Sequence, residues 1–591
     1  MKYLVVIEDE LLVDDVIKFV SSNPDTVVVA FSLPAKLALN KTYLHSYYPE
    51  EINALEDFDI MGYDNIQLVN SYCSYLDDVF VDGIDIFRKN KLRVFTEAFY
   101  QFKIFFDTVI STYIFLCSFF DRNQDRKIIV FKTASHAEYF TKNKNNIVTS
   151  LIEDLFCSQY QNIVLNVVPG GHTLSDCKKK RIIVRQLYDY VKLKCKSIYC
   201  GNKIMPDNAL VLFETHDVAL LSSAKYFHFN LIKIDVSDRG QLSPQYNIYS
   251  ELIKNIFDFA KVDRYYRSLL TIQQKDLTDF FTEKIKAHVL KNLLPYLSQL
   301  DSIKNKIVKV SPAFLLTSFC RLDIKNALLM SLIKSMDVPV ITYQEGGGAG
   351  YLDWPLFKMD VNQSDCFLVY GQGVADSSFL AGKSLMVPVG SIRLSEVRSS
   401  IKKKQTLTPT VVYVILDRLK DNVYQHYPNN GGFFSVAYKN QIKIIETLAL
   451  FPDTHFIIKT VKELCYLYDE FKNLHNVSIT TEAMGDVLKK AAGFIVEYPS
   501  TVFQEALMTD LPVALLSNIN EAQYYPPAYL LMKKRAHICH HADQYYDTIC
   551  FLLDEIKSKP ILNNEFRDSY CIMNNSEELL KNFFDKYIKK V

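Results

Sequence analysis

Short apolar runs alternate with stretches of helical spacing along most of the chain. Lys2–Ile7 is an apolar run of strand length, Leu11–Val20 repeats at helical spacing, and Val27–Ser32 is a second strand. Strand, helix, strand in this order predicts a parallel α/β fold. Asn65–Asp121 is helical in pattern throughout and predicts an inserted helical layer. Its most apolar part, Thr108–Phe120, lies between Asp107 and Asp121; it is too short to span a bilayer and predicts a buried helix. Alternation resumes at Lys127, with strands predicted over Ile128–Phe131, Asn162–Val168, Ala209–Phe213 and Leu231–Ile234. Gln273–Lys306 predicts a long amphipathic helical stretch. Asp323–Met336 predicts a helix that leads into the strand Val338–Thr342, and the strands Cys366–Tyr370 and Met386–Gly390 close this half.

The stretch Ser395–Pro409, SEVRSSIKKKQTLTP, is polar and charged and reads as a linker. The alternation then restarts. Strands are predicted over Thr410–Leu416, His455–Lys459, Val477–Thr480, Gly493–Glu497 and Pro512–Leu516. Helices are predicted over Tyr438–Leu450, Met484–Ala492 and Val502–Thr509, with a loop at Asp417–Gly432 and a final helix at Glu577–Lys590. A chain of 591 residues exceeds what one core supports. The expectation is two Rossmann-like domains, residues 1–395 with the helical insertion and residues 396–591.

Composition adds exclusions. Lys+Arg and Asp+Glu are both 67, so the chain lacks the basic excess that a nucleic-acid partner usually leaves. The opening MKYLVVIEDE has no basic lead before an apolar run, so no signal peptide is expected. The 12 cysteines are scattered within apolar runs and are expected to be reduced core thiols of a cytosolic protein. Lys178–Arg181 is a basic run expected on a solvated face, with contact to an anionic acceptor or a membrane surface as the alternative.

The densest chemistry lies at Tyr343-Gln344-Glu345, followed by Gly346, Gly347 and Gly348. A carboxylate at a strand's carboxyl end, next to backbone without Cβ, lets a ligand approach closely; a plain glycine-rich turn is the alternative. In Phe494–Leu507, FIVEYPSTVFQEAL, a strand ends at Glu497, Ser500 and Thr501 begin a helix, and Glu505 follows one turn on. Free N–H groups and hydroxyls at such a helix start can hold phosphate, and a Glu can accept from ribose; a capping box uses the same spacing. His172 and Glu214-Thr215-His216-Asp217 are ionisable groups at strand ends, able to act as acid or base or to cap a helix. Ile7-Glu8-Asp9-Glu10 is similar to the acidic pocket of response-regulator receivers, but the strand-end Asp and Lys that belong with it are not evident, and the likeness is taken as chance. His537-Ile538-Cys539-His540-His541 crowds its candidate zinc ligands too closely for one tetrahedral ion and is expected to be a polar surface segment.

With these motifs in place, the chain resembles bacterial GT-B glycosyltransferases that use CMP-activated nonulosonic and ulosonic acids: sialyltransferases, capsule polysialyltransferases and Kdo transferases. Gln344-Glu345-Gly346 looks like their acidic (D/E)-(D/E)-G motif, and Ser500-Thr501 like their paired Ser/Thr motif; QEGGGAGY is similar to the Glu-Gly-x-Gly-x-Tyr run of the sialyltransferase-like branch. Two departures stand out. Gln344 replaces the usual first acid, and Thr460-Val461 stands where an HP motif should follow the strand Phe456–Lys459; neither His455 nor His426 is followed by Pro. The resemblance implies an inverting, metal-independent transfer with a CMP-sugar donor, no further cofactor, and Glu345 as catalytic base. It implies donor contacts from Gly346, Gly347, Glu497, Ser500, Thr501 and Glu505, with Lys459, Asn429 or Gly431 in place of the HP histidine. Gln344, His172, His216 and Asp217 are the acceptor-side candidates. The implied partners are a nucleotide sugar and a glycan or glycolipid acceptor, in surface polysaccharide synthesis (capsule or lipopolysaccharide) on the cytoplasmic side of the membrane. Two alternatives stay open: a CDP-polyol phosphotransferase, which carries His-Gly where this chain has Glu-Gly, and a non-catalytic nucleotide-sugar-binding protein.

Overall fold

A computed structural model describes the chain except residues 1–2, 53–60, 135–136, 138, 141–145, 169–206, 212–228, 233–244, 321, 353–354, 402–409, 417–433, 461–466, 518–522, 559–560 and 589–591. Two compact units divide it. One comprises Met1–Leu55, Thr112–Asp207 and His228–Asn230; the other comprises Glu56–Ser111, Asn208–Phe227 and Leu231–Val591.

The first unit is built on β1 (Tyr3–Ile7), β2 (Thr26–Ala30), β3 (Lys127–Thr133) and β4 (Ile163–Val168), in the order β2-β1-β3-β4 with every pair parallel. The sequence predicts these strands, but as part of a larger domain; here they form a sheet of their own. Val5, Ile7, Val28, Ala30, Ile129 and Phe131 cover one face with Leu12, Val13 and Val16, which explains the apolar runs.

The second unit holds two six-stranded sheets. The first of them consists of β5 (Asp207–Val211) and β6 (Phe229–Ile232), and, beyond the short hairpin of β7 (Thr271–Ile272) and β8 (Lys275–Asp276), β9 (Phe314–Thr317), β10 (Val340–Tyr343), β11 (Cys366–Val369) and β12 (Leu385–Pro388). Its order is β12-β11-β10-β9-β5-β6. The other consists of β13 (Thr410–Val414), β14 (His455–Lys459), β15 (Val477–Thr480), β16 (Gly493–Val496), β17 (Val513–Leu516) and β18 (His537–Cys539), in the order β15-β14-β13-β16-β17-β18 with all pairs parallel. Counted from its own start, that is 3-2-1-4-5-6, the Rossmann order; the first sheet, counted likewise, runs 2-1-3-4-5-6. Two such sheets in sequence, touching through loops at their strands' carboxyl ends as described below, constitute the GT-B plan expected from the sequence. The predicted linker lies between β12 and β13, the strands that end one six-stranded sheet and begin the other, and the helix Ile392–Ser400 runs into it.

The helical layer is present as Met61–Gly83, Asp85–Asn90, Val94–Glu97 and Phe99–Asp121. The last is longer than its apolar centre predicts. Among the described residues it is the one helix long and apolar enough to cross a membrane, and 72% of its most apolar window is buried within the protein. The helical stretch expected over Gln273–Lys306 is present as separate pieces. Gln273 and Gln274 take positive φ (47° and 64°) to turn the β7–β8 hairpin, and Pro295, which has no N–H to continue a helix, separates Thr278–Asn292 from Leu300–Val310.

Candidate functional site

The site starts from strand β10, four residues buried on both faces between β9 and β11. Glu345 comes two residues after its end and is half-exposed, whereas Gln344 is buried. The chain then leaves the sheet through Gly346, whose φ of +69° suits glycine. A second reason fixes glycine there: an added Cβ would lie 2.2 Å from the Thr501 hydroxyl oxygen. At Gly347 an added Cβ would lie 2.7 Å from the Ser500 carbonyl. The glycine loop therefore rests directly on the start of the helix Thr501–Leu507, which follows β16 in the other sheet.

Two hydrogen bonds hold this contact. Gly347 N–H donates to Thr501 Oγ1 at 3.1 Å, and the Tyr351 hydroxyl donates to the Pro499 carbonyl at 3.0 Å. Tyr351 is fully buried, and burial pushes its hydroxyl well above the usual range, so it stays a protonated donor. Ser500 occupies the N-cap position without a side-chain cap bond, and both Ser500 and Thr501 are partly exposed. The capping box that the spacing allowed is not formed. Because Thr501 Oγ1 accepts from Gly347, its own O–H remains available to donate. The two motifs, 155 residues apart from Glu345 to Ser500, meet at one place.

Lys459 ends β14, and Val414 of β13 pairs with both Lys459 and Val496. With strands ~4.8 Å apart, Lys459 and the end of β16 are ~10 Å apart across the sheet's reversal of strand order, where open α/β sheets bind ligands. Its ammonium donates to the Thr460 carbonyl, and burial lowers its pKa below the usual lysine range.

Three expected ligand contacts are corrected. Gln344 is 1% exposed; its Nε2 donates to the Gly346 carbonyl at 3.0 Å and its Oε1 accepts from Tyr370 N–H at 3.0 Å, so it cannot face an acceptor. Glu497, a buried carboxylate, accepts from the Tyr413 hydroxyl, from Gln441 Nε2 at 2.8 Å and from Leu416 N–H at 3.3 Å; it braces the ends of β13 and β16 instead of reaching a donor. Glu505 is 2% exposed and is ion-paired with Arg393 of the helix Ile392–Ser400, which withdraws it from a ribose. Asn429, Gly431, His172, His216 and Asp217 lie outside the described residues.

The histidine-rich segment forms the edge strand β18. His540 Nδ1 lies 2.9 Å from the Ser517 carbonyl, which can only accept, so that nitrogen carries the proton; Tyr529 Oη lies 2.8 Å from Nε2. Among the described residues no three His, Cys, Asp or Glu side chains group to hold a metal ion. Sequence reading missed Tyr370 and Arg393. Tyr370 accepts from Gly346 N–H at 3.1 Å, and Arg393 binds Glu505. The only forward signal for Tyr370 was its place at the end of a predicted strand.

No protein-family profile matches the chain, and no curated protein matches its sequence. Solved structures similar to it include a UDP-GlcNAc 2-epimerase from Neisseria meningitidis bound to UDP-GlcNAc (10% identity, 64% of this chain and 100% of that one, TM-score 0.37). Others are Acinetobacter baumannii MurG (10%, 64% and 100%, 0.36) and a UDP-glucosyltransferase from Polygonum tinctorium capable of glucosylating indoxyl (10%, 66% and 100%, 0.34).

Proposed function

We propose that this chain is an inverting, metal-independent glycosyltransferase that moves a sialic acid-like or Kdo-like sugar from a CMP donor to a hydroxyl of a glycan or glycolipid acceptor. The reaction would belong to bacterial surface polysaccharide synthesis on the cytoplasmic side. The observation that supports it most is the hydrogen bond from Gly347 to Thr501, which brings the strand-end carboxylate Glu345 together with the paired hydroxyls Ser500 and Thr501.

In this reading Glu345 takes the acceptor hydroxyl proton as the oxygen attacks the anomeric carbon. A carbon–oxygen bond forms there while the bond to the phosphate oxygen breaks, and the electron pair leaves with CMP. Ser500, the Thr501 O–H and the Lys459 ammonium stabilise the charge that develops on the phosphate. The donor sits beside the glycine–helix contact, since Gly346 and Gly347 leave no room for a ligand between the loop and Thr501.

The test uses purified protein with a panel of CMP-activated nonulosonic and ulosonic acids, following CMP release and sugar transfer. Glu345→Gln is expected to lose about 10²–10⁴-fold in turnover while its melting temperature and CMP binding stay unchanged. Near-normal turnover by that variant would remove Glu345 as the base. CMP release from no donor would favour a binding protein over an enzyme.

A further inference from the structure

We infer that Gln344 and Tyr370 are positioning residues that fix the Glu345 carboxylate, and that the reaction needs an amide at position 344. The inference rests on the transfer reaction proposed above. Register explains how the pair meets: Tyr343 stands opposite Leu368 in the β10–β11 ladder, so its continuation sets Tyr370 opposite Glu345. Three hydrogen bonds close a ring there. Tyr370 N–H donates to Gln344 Oε1 at 3.0 Å, Gln344 Nε2 donates to the Gly346 carbonyl at 3.0 Å, and Gly346 N–H donates to Tyr370 Oη at 3.1 Å. Gln344 N–H adds a fourth anchor, to the Leu368 carbonyl at 2.8 Å. The residues on both sides of Glu345 are thus tied to β11, and Gln344 and Tyr370 are each only 1% exposed.

The partners dictate the side chain. One end of residue 344 meets an N–H and must accept; the other meets a carbonyl and must donate. An amide does both. Gln344→Glu keeps the shape but sets a carboxylate oxygen against the Gly346 carbonyl, two acceptors face to face in a buried place. Only its protonated form restores the donor. Glu345 follows it in the chain, the Tyr370 hydroxyl belongs to the same ring of hydrogen bonds, and the Tyr370 and Tyr343 rings are 5.9 Å apart. Tyr370→Phe keeps that ring contact and removes one acceptor, that of Gly346 N–H. A base displaced by about 1 Å loses about 100-fold in rate, so the ring should act on kcat and leave donor binding alone.

The experiment is steady-state kinetics on the full chain, with the CMP donor that wild type turns over, for Gln344→Glu, Tyr370→Phe and Glu345→Gln. Tyr370→Phe should lower kcat by about tenfold or more with donor KM within about twofold. Gln344→Glu should lower kcat by about 100-fold at pH 8 and regain activity relative to wild type as the pH falls and the new carboxyl protonates. Wild-type kcat in both, beside an inactive Glu345→Gln, refutes the positioning role and leaves the base intact. A raised KM at unchanged kcat also refutes it, since the pair would then be touching donor. An active Glu345→Gln, or a wild type that turns over no donor, refutes the transfer reading and this inference with it. If Gln344→Glu does not fold, Tyr370→Phe alone decides.

Discussion

The contact between Gly346 and Thr501 can be measured as a coupling energy. Gly346→Ala forces a side chain into φ +69°, which costs about 1–2 kcal/mol, and places Cβ 2.2 Å from Thr501 Oγ1, an overpacking of about 1–3 kcal/mol. Together these give about 2–5 kcal/mol. Thr501→Ala removes the acceptor of Gly347 N–H, a loss of about 1 kcal/mol at a half-buried group. In the double variant the clashing oxygen is gone, so only the backbone strain and the lost hydrogen bond remain. Its destabilisation should therefore fall short of the sum of the single variants by about 1–3 kcal/mol. Urea unfolding of the four proteins reads this quantity, and the sole tryptophan, Trp354, lies a few residues beyond the glycine loop in sequence and gives the signal. Additivity within about 0.5 kcal/mol would mean that the loop and the helix start do not touch. The joined motifs, and with them the support for the transfer reaction, would then be lost.

Two further outcomes follow from charge and burial. Lys459→Met should raise donor KM about tenfold with a small change in kcat, as expected for loss of one charged contact; wild-type donor affinity should weaken as pH rises, because burial lowers the pKa of this ammonium. Glu8 and Asp77 are both pushed up to about 7 by burial, so each binds its proton more tightly in the folded chain than unfolded. Their stabilisation is fully present below about pH 4 and is lost as pH rises through 7, by up to about 3 kcal/mol for Glu8 and about 4 kcal/mol for Asp77; urea midpoints should fall between pH 5 and 8, and Glu8→Gln with Asp77→Asn should flatten that slope.

Much of the fold is legible because a parallel sheet buries both faces, so its strands read as unbroken apolar runs. His455–Lys459 and Val477–Thr480 coincide with their predicted bounds. The failures have local causes. The β7–β8 hairpin pairs only two residues a side, too few to show a period, and the N-terminal strands read the same whether they join a large sheet or form their own. At the site, sequence shows a carboxylate but not what reaches it. Glu505 takes up an arginine 112 residues away and Glu497 a tyrosine 84 residues away, partners set by tertiary packing alone. Buried carboxylates recruit such donors because an unpaired charge there is costly. Gln344 stands where the resembling motif carries an acid, and only the ring with Tyr370 gives the amide a reason.

The helix Thr501–Leu507 draws these contacts into one device. Its start is held by the glycine loop of the first sheet through Gly347, and Glu505, one turn on, is held by Arg393 from the helix that follows that sheet's last strand. A short helix fixed at both points cannot rotate about its axis or slide without breaking one of them. Its hydroxyls are thereby set at one distance from Glu345, two residues before Gly347 in the same clamped loop. In the proposed transfer, a base that meets the acceptor hydroxyl while another group holds the departing phosphate needs this constancy, since both ends of the reacting line must be in place together. Neither sheet supplies it alone: the first brings the carboxylate and its ring, the second brings the hydroxyls, and in the proposed transfer the tie between Gly347 and Thr501 would make one reacting geometry of the two.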